Sequence, residues 1–217
     1  MNPSPDLEPD RARHGASRVI GVLGGIASGK SAVARGLAGK DGVVIDADEL
    51  ARAAFDSPEI RARVATTFGP EVLNPDGSVR RDVVARRVFA SARERAELEA
   101  FTHPWIRDRI RAALDAARAR GVARIVLDVP LLLENDSRHG LAAECDTLVF
   151  VDSDERTRDD RAVSERGWHA GEVARREAHQ MPLAAKRARA DHVIHNRGTK
   201  GDLDRLVREL SDEIDRS

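Results

Sequence analysis

One segment of the chain combines glycines, a lysine and a hydroxyl group in the order G-x-x-x-x-G-K-[S/T]. The matching residues are Gly24, Gly29, Lys30 and Ser31. Such glycines let backbone N–H groups curl around an anion, while the lysine reaches phosphate oxygens and the serine hydroxyl can ligate Mg²⁺. We therefore predict that residues 24–31, called the phosphate loop below, bind a nucleoside triphosphate. The nucleotide contacts predicted there are Gly25, Ile26, Ala27, Ser28, Gly29, Lys30, Ser31 and the following Ala32.

Carboxylates follow two other apolar runs. Asp46 and Asp48 come after Val43–Ile45, and Asp128 comes after Ile125–Leu127. If both runs are parallel strands, these carboxylates lie at the edge where open α/β sheets bind ligands. We expect Asp48 to be the base on the acceptor side, Asp46 to support it or hold Mg²⁺ water, and Asp128 to hold Mg²⁺ or its water shell. Asp46 and Asp48 can instead cap the next helix, because Asp is a favoured N-cap residue.

Five short apolar runs alternate with helical stretches rich in Arg, Glu and Ala. Each run is short enough to be a strand buried on both faces. Strands that alternate with helices favour a parallel sheet covered by helices on both sides. The predicted class is therefore α/β, a three-layer α/β/α P-loop NTPase fold with a five-stranded parallel sheet. The predicted strands are Val19–Leu23, Val43–Ile45, Ile125–Leu127, Leu148–Val151 and His192–Ile194, and the predicted helices are Ser31–Leu37, Asp82–Phe89, Ala92–Ala119, Glu172–Ala178 and Asp202–Ile214.

Two stretches between the strands are unusual. About eighty residues separate the second and third strands, more than one crossover helix needs, so we expect a helical insertion there. Residues 156–189 contain nine basic and five acidic residues. A charge run of this kind is typical of a solvated helix face. In a phosphoryl-transfer enzyme it can instead form an arginine-bearing lid that neutralises phosphate charge and excludes water.

These features predict one domain with two excursions. Residues 1–17 are expected to be a disordered N-terminal arm, and residues 18–217 a single P-loop kinase domain. The boundaries predicted inside that domain are a core of residues 18–50, 120–153 and 190–217, a helical insertion at about 51–119 and a lid at about 154–189.

Composition excludes several classes of protein. The 217 residues include 36 Lys and Arg against 37 Asp and Glu, so no global field attracts nucleic acid or an anionic membrane. No apolar run approaches the roughly 18 residues of a membrane span. The single Cys145 cannot form an internal disulfide, which agrees with a reducing compartment. We expect a cytoplasmic enzyme with small-molecule substrates and no nucleic-acid or membrane partner, either a monomer or a small homo-oligomer.

In their order along the chain, these motifs resemble those of the dephospho-CoA kinase family, the P-loop kinases of the last step of coenzyme A synthesis. The resemblance extends from about Val19 to Gly198. Beyond the phosphate loop it rests on Val44–Asp48, Ala51-Arg52, Phe68-Gly69, Asp76-Gly77, Arg81, His103-Pro104, Asp128–Glu134, Gln180–Pro182, Lys186, Ala190-Asp191, Asn196 and Gly198.

This resemblance implies transfer of the ATP γ-phosphate to the ribose 3′-hydroxyl of dephospho-CoA, with Mg²⁺ as cofactor. It also implies that the helical insertion binds CoA. By position it implies catalytic roles for Asp48, Lys30 and Arg161. The further residues implied are Arg161, Arg166, Arg176 and Asn196 for ATP, Asp46, Asp48, Arg52, Arg81, His103 and Leu132 for the acceptor, and Ser31 and Asp128 for the metal.

The chain also departs from the family pattern. Ala32 stands where a Thr is usual. Glu177 stands where an apolar residue usually follows the arginine of the lid, which is Arg176 by position. Because of Glu177, Arg175 remains an alternative to Arg176 as the lid residue that contacts ATP. Two other functions remain open: a P-loop kinase for a nucleoside, nucleotide or sugar acid, and a nucleotide-dependent switch. The chain contains no N-K-x-D motif, which disfavours a GTPase switch.

Overall fold

The computed structural model describes residues 17–216, so the predicted N-terminal arm lies outside the described residues except for Ser17. Five strands form one parallel sheet, and each contains the strand predicted for it. They are β1 Arg18–Gly24, β2 Val43–Asp46, β3 Arg124–Asp128, β4 Thr147–Asp152 and β5 His192–His195. The order across the sheet is β2-β3-β1-β4-β5. β1, β3 and β4 are buried along most of their length, as expected for strands covered on both faces. The predicted fold class is confirmed.

Helices connect these strands, together with two 3₁₀ turns at Pro70–Val72 and Ala142–Glu144. The helices of the described residues are α1 Lys30–Ala38, α2 Ala47–Ala54, α3 Pro58–Phe68, α4 Arg81–Ala90, α5 Ala92–Ala119, α6 Asp136–His139, α7 Glu155–Arg166, α8 Glu172–Glu177, α9 Leu183–Ala188 and α10 Lys200–Arg216. The predicted helices correspond to α1, α4, α5, α8 and α10. Of the other five, α3 lies in the predicted helical insertion and α7 and α9 lie in the predicted lid, but the bounds of none of the five were predicted.

The described residues divide into two compact units. The first contains residues 17–45 and 117–216 and includes the phosphate loop. In its core, α1 and α10 contribute to one apolar cluster with the sheet strands. α1 and α10 approach each other closely: a Cβ added at Gly36 would lie 2.7 Å from Cγ1 of Val207. This packing fixes the helix that begins at the phosphate loop.

The second unit contains residues 46–116, which form α2 to α4 and most of α5. Its own apolar core joins Ile60, Val64 and Phe68 of α3 to Val84 of α4 and Phe101 of α5. No helix among the described residues is both long enough and apolar enough to cross a membrane.

Candidate active site

The phosphate loop turns sharply between the end of β1 at Gly24 and the start of α1 at Lys30. The turn uses left-handed backbone at Ala27, with φ of 57°, and at Gly29, with φ of 93°. A side chain at Gly29 is excluded twice over, since its Cβ would also lie 2.3 Å from Nδ2 of Asn196. The loop ends at the N-terminus of α1, which is the positive end of the helix dipole, where an anion is stabilised.

Lys30 is half-buried and folded back over the loop. Its Nζ donates to the carbonyl oxygen of Gly25 at 2.7 Å and to that of Gly24 at 3.3 Å. Burial lowers the pKa of Lys30 to about 8, and the nearby charge of Asp128 opposes this shift. The positive charges of Lys186 and Arg166 lower the same pKa further. The Lys30 side chain is therefore mostly protonated at neutral pH, and a bound anion would stabilise its protonated form further.

Asp128 and Ser31 are the predicted metal ligands. Asp128 ends β3 and is 6% exposed, whereas Ser31 lies on the exposed surface of the first turn of α1. Within residues 17–216 no group of three or more His, Cys, Asp or Glu side chains could hold a metal by itself. A hydroxyl and a carboxylate are nevertheless hard oxygen donors that suit Mg²⁺, which commonly takes its remaining ligands from water and substrate phosphates. The residues present fit that mode of binding.

The carbonyl oxygen of Ser28 connects the phosphate loop to two distant elements. Asn196, which follows β5, donates to it through Nδ2 at 2.8 Å, and the Arg161 guanidinium of α7 lies 3.5 Å from it. Arg161 also donates to Oδ1 of Asn196 at 3.4 Å. The structure therefore brings both of these predicted nucleotide-binding residues to the loop.

A second contact with the loop comes from Glu177, the last residue of α8. Its Oε1 accepts a 2.7 Å hydrogen bond from the backbone N–H of Ile26 and also pairs with the guanidinium of Arg158. Arg158 is 4% exposed. Sequence reasoning missed Arg158, because an arginine within a basic run resembles a solvated residue. One signal was available: Arg158 lies four residues before Ala162, a buried residue on the same helix face.

Comparison with known proteins identifies the family. The family model described as dephospho-CoA kinase (CoaE) matches residues 18–202. This chain belongs to the dephospho-CoA kinase family. A dephospho-CoA kinase from Corynebacterium diphtheriae is 41% identical over 194 residues, which are 89% of this chain and 95% of that protein. The predicted resemblance is confirmed.

Two solved structures share the fold of this family member. The crystal structure of TT1252 from Thermus thermophilus has a TM-score of 0.71 and 31% identity, covering 93% of this chain and 98% of that one. A dephospho-CoA kinase from Campylobacter jejuni has a TM-score of 0.67 and covers 92% of this chain and 98% of its own. At 21% identity, the second supports the fold alone.

Arg166 and Arg176, which with Arg161 are the lid arginines that the resemblance assigns to ATP, lie around an aromatic ring. The guanidinium groups of Arg166 and Arg176 are 5.3 Å and 4.0 Å from the centre of the Trp168 ring. Arg176 and Arg175 also both pair with Glu172, at 2.6 Å and 2.7 Å. Of the lid arginines predicted from the dephospho-CoA kinase pattern, only Arg161 contacts the phosphate loop in this structure. The nucleotide contacts of Arg166 and Arg176 remain predictions.

The two aspartates after β2 occupy different positions. The strand ends at Asp46 and α2 begins at the next residue, so Asp48 lies in a helical turn rather than on a continuing strand. Asp46 caps that helix, because its carboxylate accepts from the N–H groups of Asp48 and Glu49 at 2.8 Å and 3.0 Å. The Asp48 carboxylate is on the exposed surface and takes no part in the cap. The capping alternative therefore holds for Asp46, and the role of Asp48 as a base stays a prediction.

The remaining predicted acceptor residues belong to α2, α4, α5 and the segment after β3. Arg52 is exposed in the last turn of α2, and His103 is exposed in α5. Arg81 begins α4 and pairs with Asp56 at 2.8 Å. Leu132 is 1% exposed, so any contact that it makes with an acceptor would involve its backbone. None of these contacts could be derived from the sequence except through the family resemblance.

Proposed function

We propose that this chain transfers the γ-phosphate of ATP to the ribose 3′-hydroxyl of dephospho-CoA, giving coenzyme A and ADP. One observation carries the proposal: a phosphate loop with a half-buried, inward-turned Lys30 in a chain of the dephospho-CoA kinase family. The loop accounts for the nucleotide, and the family accounts for the acceptor. The relative from C. diphtheriae carries the name of this activity.

In the proposed mechanism, the protein mainly positions its substrates and neutralises charge. Lys30 leaves the carbonyl of Gly25 and binds the transferred phosphoryl group, and Arg161 offsets the charge that spreads over its oxygens. Asp48 orients the 3′-hydroxyl and accepts its proton. Exposure of Asp48 in the first turn of α2 supports this role, because the carboxylate is accessible to an acceptor.

Mg²⁺ is the proposed cofactor, and Ser31 and Asp128 are the residues that would hold it. When bound, the ion would neutralise part of the negative charge on the phosphates. The hydroxyl and the carboxylate described above supply oxygen donors of the right kind. Omitting Mg²⁺ from the assay should abolish transfer, whereas Ca²⁺, with its larger coordination sphere, should replace it poorly.

We assign functional roles to three parts of the chain. The helical insertion, predicted at residues 51–119, would bind the acceptor, the lid at residues 154–189 would cover the nucleotide, and the parallel sheet would hold the phosphate loop.

We also retain the cytoplasm as the expected location. The buried thiol of Cys145, which forms no disulfide, suits a reducing compartment.

A panel of acceptors tests the proposal. Purified protein with ATP and Mg²⁺ should phosphorylate dephospho-CoA, and should do so far faster than AMP, dCMP or gluconate. The matched control is Lys30→Met, which keeps the length of the side chain but removes its charge and should abolish transfer. Preference for one of the other acceptors would refute the proposed substrate while leaving phosphoryl transfer intact. ATP hydrolysis without transfer to any acceptor would instead favour the switch.

A further inference from the structure

A carboxylate lies on the phosphate loop at a position suited to phosphate. Oε1 of Glu177 accepts the backbone N–H of Ile26, at 2.7 Å, within a loop whose N–H groups favour an anion. The carboxylate is largely shielded, with 14% of the side chain exposed. Gly25 makes room for it, because a Cβ there would lie 2.6 Å from the same oxygen. A phosphate oxygen and the Glu177 carboxylate would therefore compete for one donor.

Arg158, the ion-pair partner of Glu177, is also held in a fixed position beside the loop. NH1 of Arg158 pairs with the same Oε1 atom, and the same added Cβ at Gly25 would lie 2.6 Å from this nitrogen. A second nitrogen of Arg158, Nε, donates to the carbonyl oxygen of Ser153 at 3.1 Å, which fixes the guanidinium beside the loop. An anion that replaces Oε1 as the acceptor of the Ile26 N–H would therefore contact the Arg158 guanidinium, a buried positive charge that is already held in place.

We propose that Glu177 is an internal competitor for the phosphates of the nucleotide, and that its displacement turns Arg158 into a phosphate-binding residue. Loss of Glu177 from the loop would leave the Arg158 charge buried without a partner, which is strongly unfavourable unless another anion takes its place. Phosphate supplies that anion, so the exchange keeps both Ile26 N–H and Arg158 satisfied. The inference rests on the proposed function, since it assumes that the loop binds the terminal phosphates of ATP.

Replacement of Glu177 tests the competition. Glu177→Leu restores the apolar residue usual in the family, and binding of ATP and of inorganic pyrophosphate is measured by calorimetry in buffer free of phosphate and sulfate. Both ligands should bind about ten-fold tighter, the factor expected if the carboxylate leaves the loop free about a tenth of the time. Glu165→Gln, which removes an exposed carboxylate of α7, is the control for charge and should leave both affinities unchanged. Unchanged or weaker pyrophosphate binding by folded Glu177→Leu protein would overturn the proposal.

The role of Arg158 is tested in the background that lacks its competitor. The double variant Arg158→Gln with Glu177→Leu should bind pyrophosphate about ten-fold more weakly than Glu177→Leu alone, because a charged hydrogen bond is lost. Equal affinities would show that Arg158 only anchors Glu177. Thermal unfolding provides a readout that separates the two roles. Pyrophosphate should raise the Tm of Glu177→Leu more than that of the wild type, because it supplies the missing partner of Arg158.

A measurement on the unmodified chain avoids dependence on folding of the variants. With ¹³C-labelled glutamate, the side-chain carboxyl resonance of Glu177 should move when pyrophosphate saturates the protein, and the Ile26 amide resonance should move with it. Saturation with no change at Glu177 would contradict the proposal. If the wild type binds neither pyrophosphate nor ATP, the proposed function itself fails. Binding without a change at Glu177 is a different outcome, which contradicts only the proposed competition.

Discussion

The side-chain amide of Asn196 donates a 2.8 Å hydrogen bond to the carbonyl oxygen of Ser28. This bond joins the residue after β5 to the middle of the phosphate loop, 168 positions earlier in the chain. Asn196 is 5% exposed, so water cannot readily replace its amide. The shape of the loop therefore depends on a residue that no local motif includes.

Asn196→Ala should weaken ATP binding by distorting the loop. Without this bond the Ser28 carbonyl keeps only the longer contact from Arg161, at 3.5 Å. Losing one partner of a buried polar group costs about 1–3 kcal/mol, and a similar loss in binding raises the KM for ATP by about ten-fold or more. Steady-state kinetics with ATP as the varied substrate measure this effect. Lys200→Ala, at the exposed start of α10, is the neighbouring control and should leave the KM for ATP within about two-fold. An unaltered KM in folded Asn196→Ala protein would show that the loop keeps its shape without this bond.

ATP binding should depend on pH through Lys30. Because burial lowers the pKa of Lys30 to about 8, the side chain loses its proton far below the ordinary value of 10.5. The protonated form binds phosphate, so ATP affinity measured without metal should be level near pH 7 and fall above pH 8, by at most about ten-fold per pH unit. Lys30→Arg should remove this dependence, since a guanidinium stays charged throughout the range.

The neighbouring carboxylate provides a second check on that pH dependence. The charge of Asp128 raises the pKa of Lys30, so Asp128→Asn should move the midpoint of the binding curve below pH 8. A wild-type curve that stays flat to pH 9.5 would contradict the assignment of Lys30. A midpoint that rises in Asp128→Asn would contradict the electrostatic coupling.

Asp48→Asn should slow phosphoryl transfer with little effect on ATP binding. Loss of a general base typically lowers kcat by about 10²–10⁴. The cap of α2 should survive, because it uses the Asp46 carboxylate and only the backbone N–H of Asp48. Glu49→Gln removes an exposed charge in the same helical turn and is the matched control. Comparable kcat values for Asp48→Asn and the wild type would refute the proposed base.

The sequence predicted the sheet and the phosphate loop because both leave local signals. Strands such as β1, buried on both faces, are continuous apolar runs, and the loop motif lies within eight consecutive residues. The contact between Ile26 and Glu177 leaves no such signal, since it joins residues 151 positions apart. Charged residues in α7 and α8 are typical of solvated helices, so the burial of Arg158 is indicated in the sequence only weakly, by its spacing to Ala162.

Gly36→Ala should destabilise the protein even though alanine favours a helix. The added methyl group would lie 2.7 Å from Cγ1 of Val207, and overpacking of this kind costs about 1–3 kcal/mol. In the Val207→Ala background the clash is absent, and the same substitution should stabilise α1 by up to about 1 kcal/mol. Denaturant unfolding of the four proteins in this cycle measures the change of sign. Similar effects of Gly36→Ala in both backgrounds would disprove the close packing of α1 and α10.

Arg176→Ala should impair catalysis more than Arg175→Ala. Both arginines pair with Glu172, but only Arg176 also lies against Trp168, and its side chain is less exposed, at 44% against 70%. If Arg176 contributes to neutralising the transferred phosphoryl group, its removal should lower kcat by about 10²-fold or more. Arg175→Ala is the matched control and should change kcat less than about three-fold.

The fluorescence of Trp168 can report movement of the Arg176 side chain directly. Movement of Arg176 from the ring to phosphate would change the surroundings of the indole, which lies 4.0 Å from the guanidinium carbon. Trp105→Phe leaves Trp168 as the only tryptophan, since the chain contains two. In that protein, ATP should change the tryptophan emission, and Arg176→Ala should abolish most of the change. A larger loss of kcat and of the emission change in Arg175→Ala would transfer the role in the lid to Arg175.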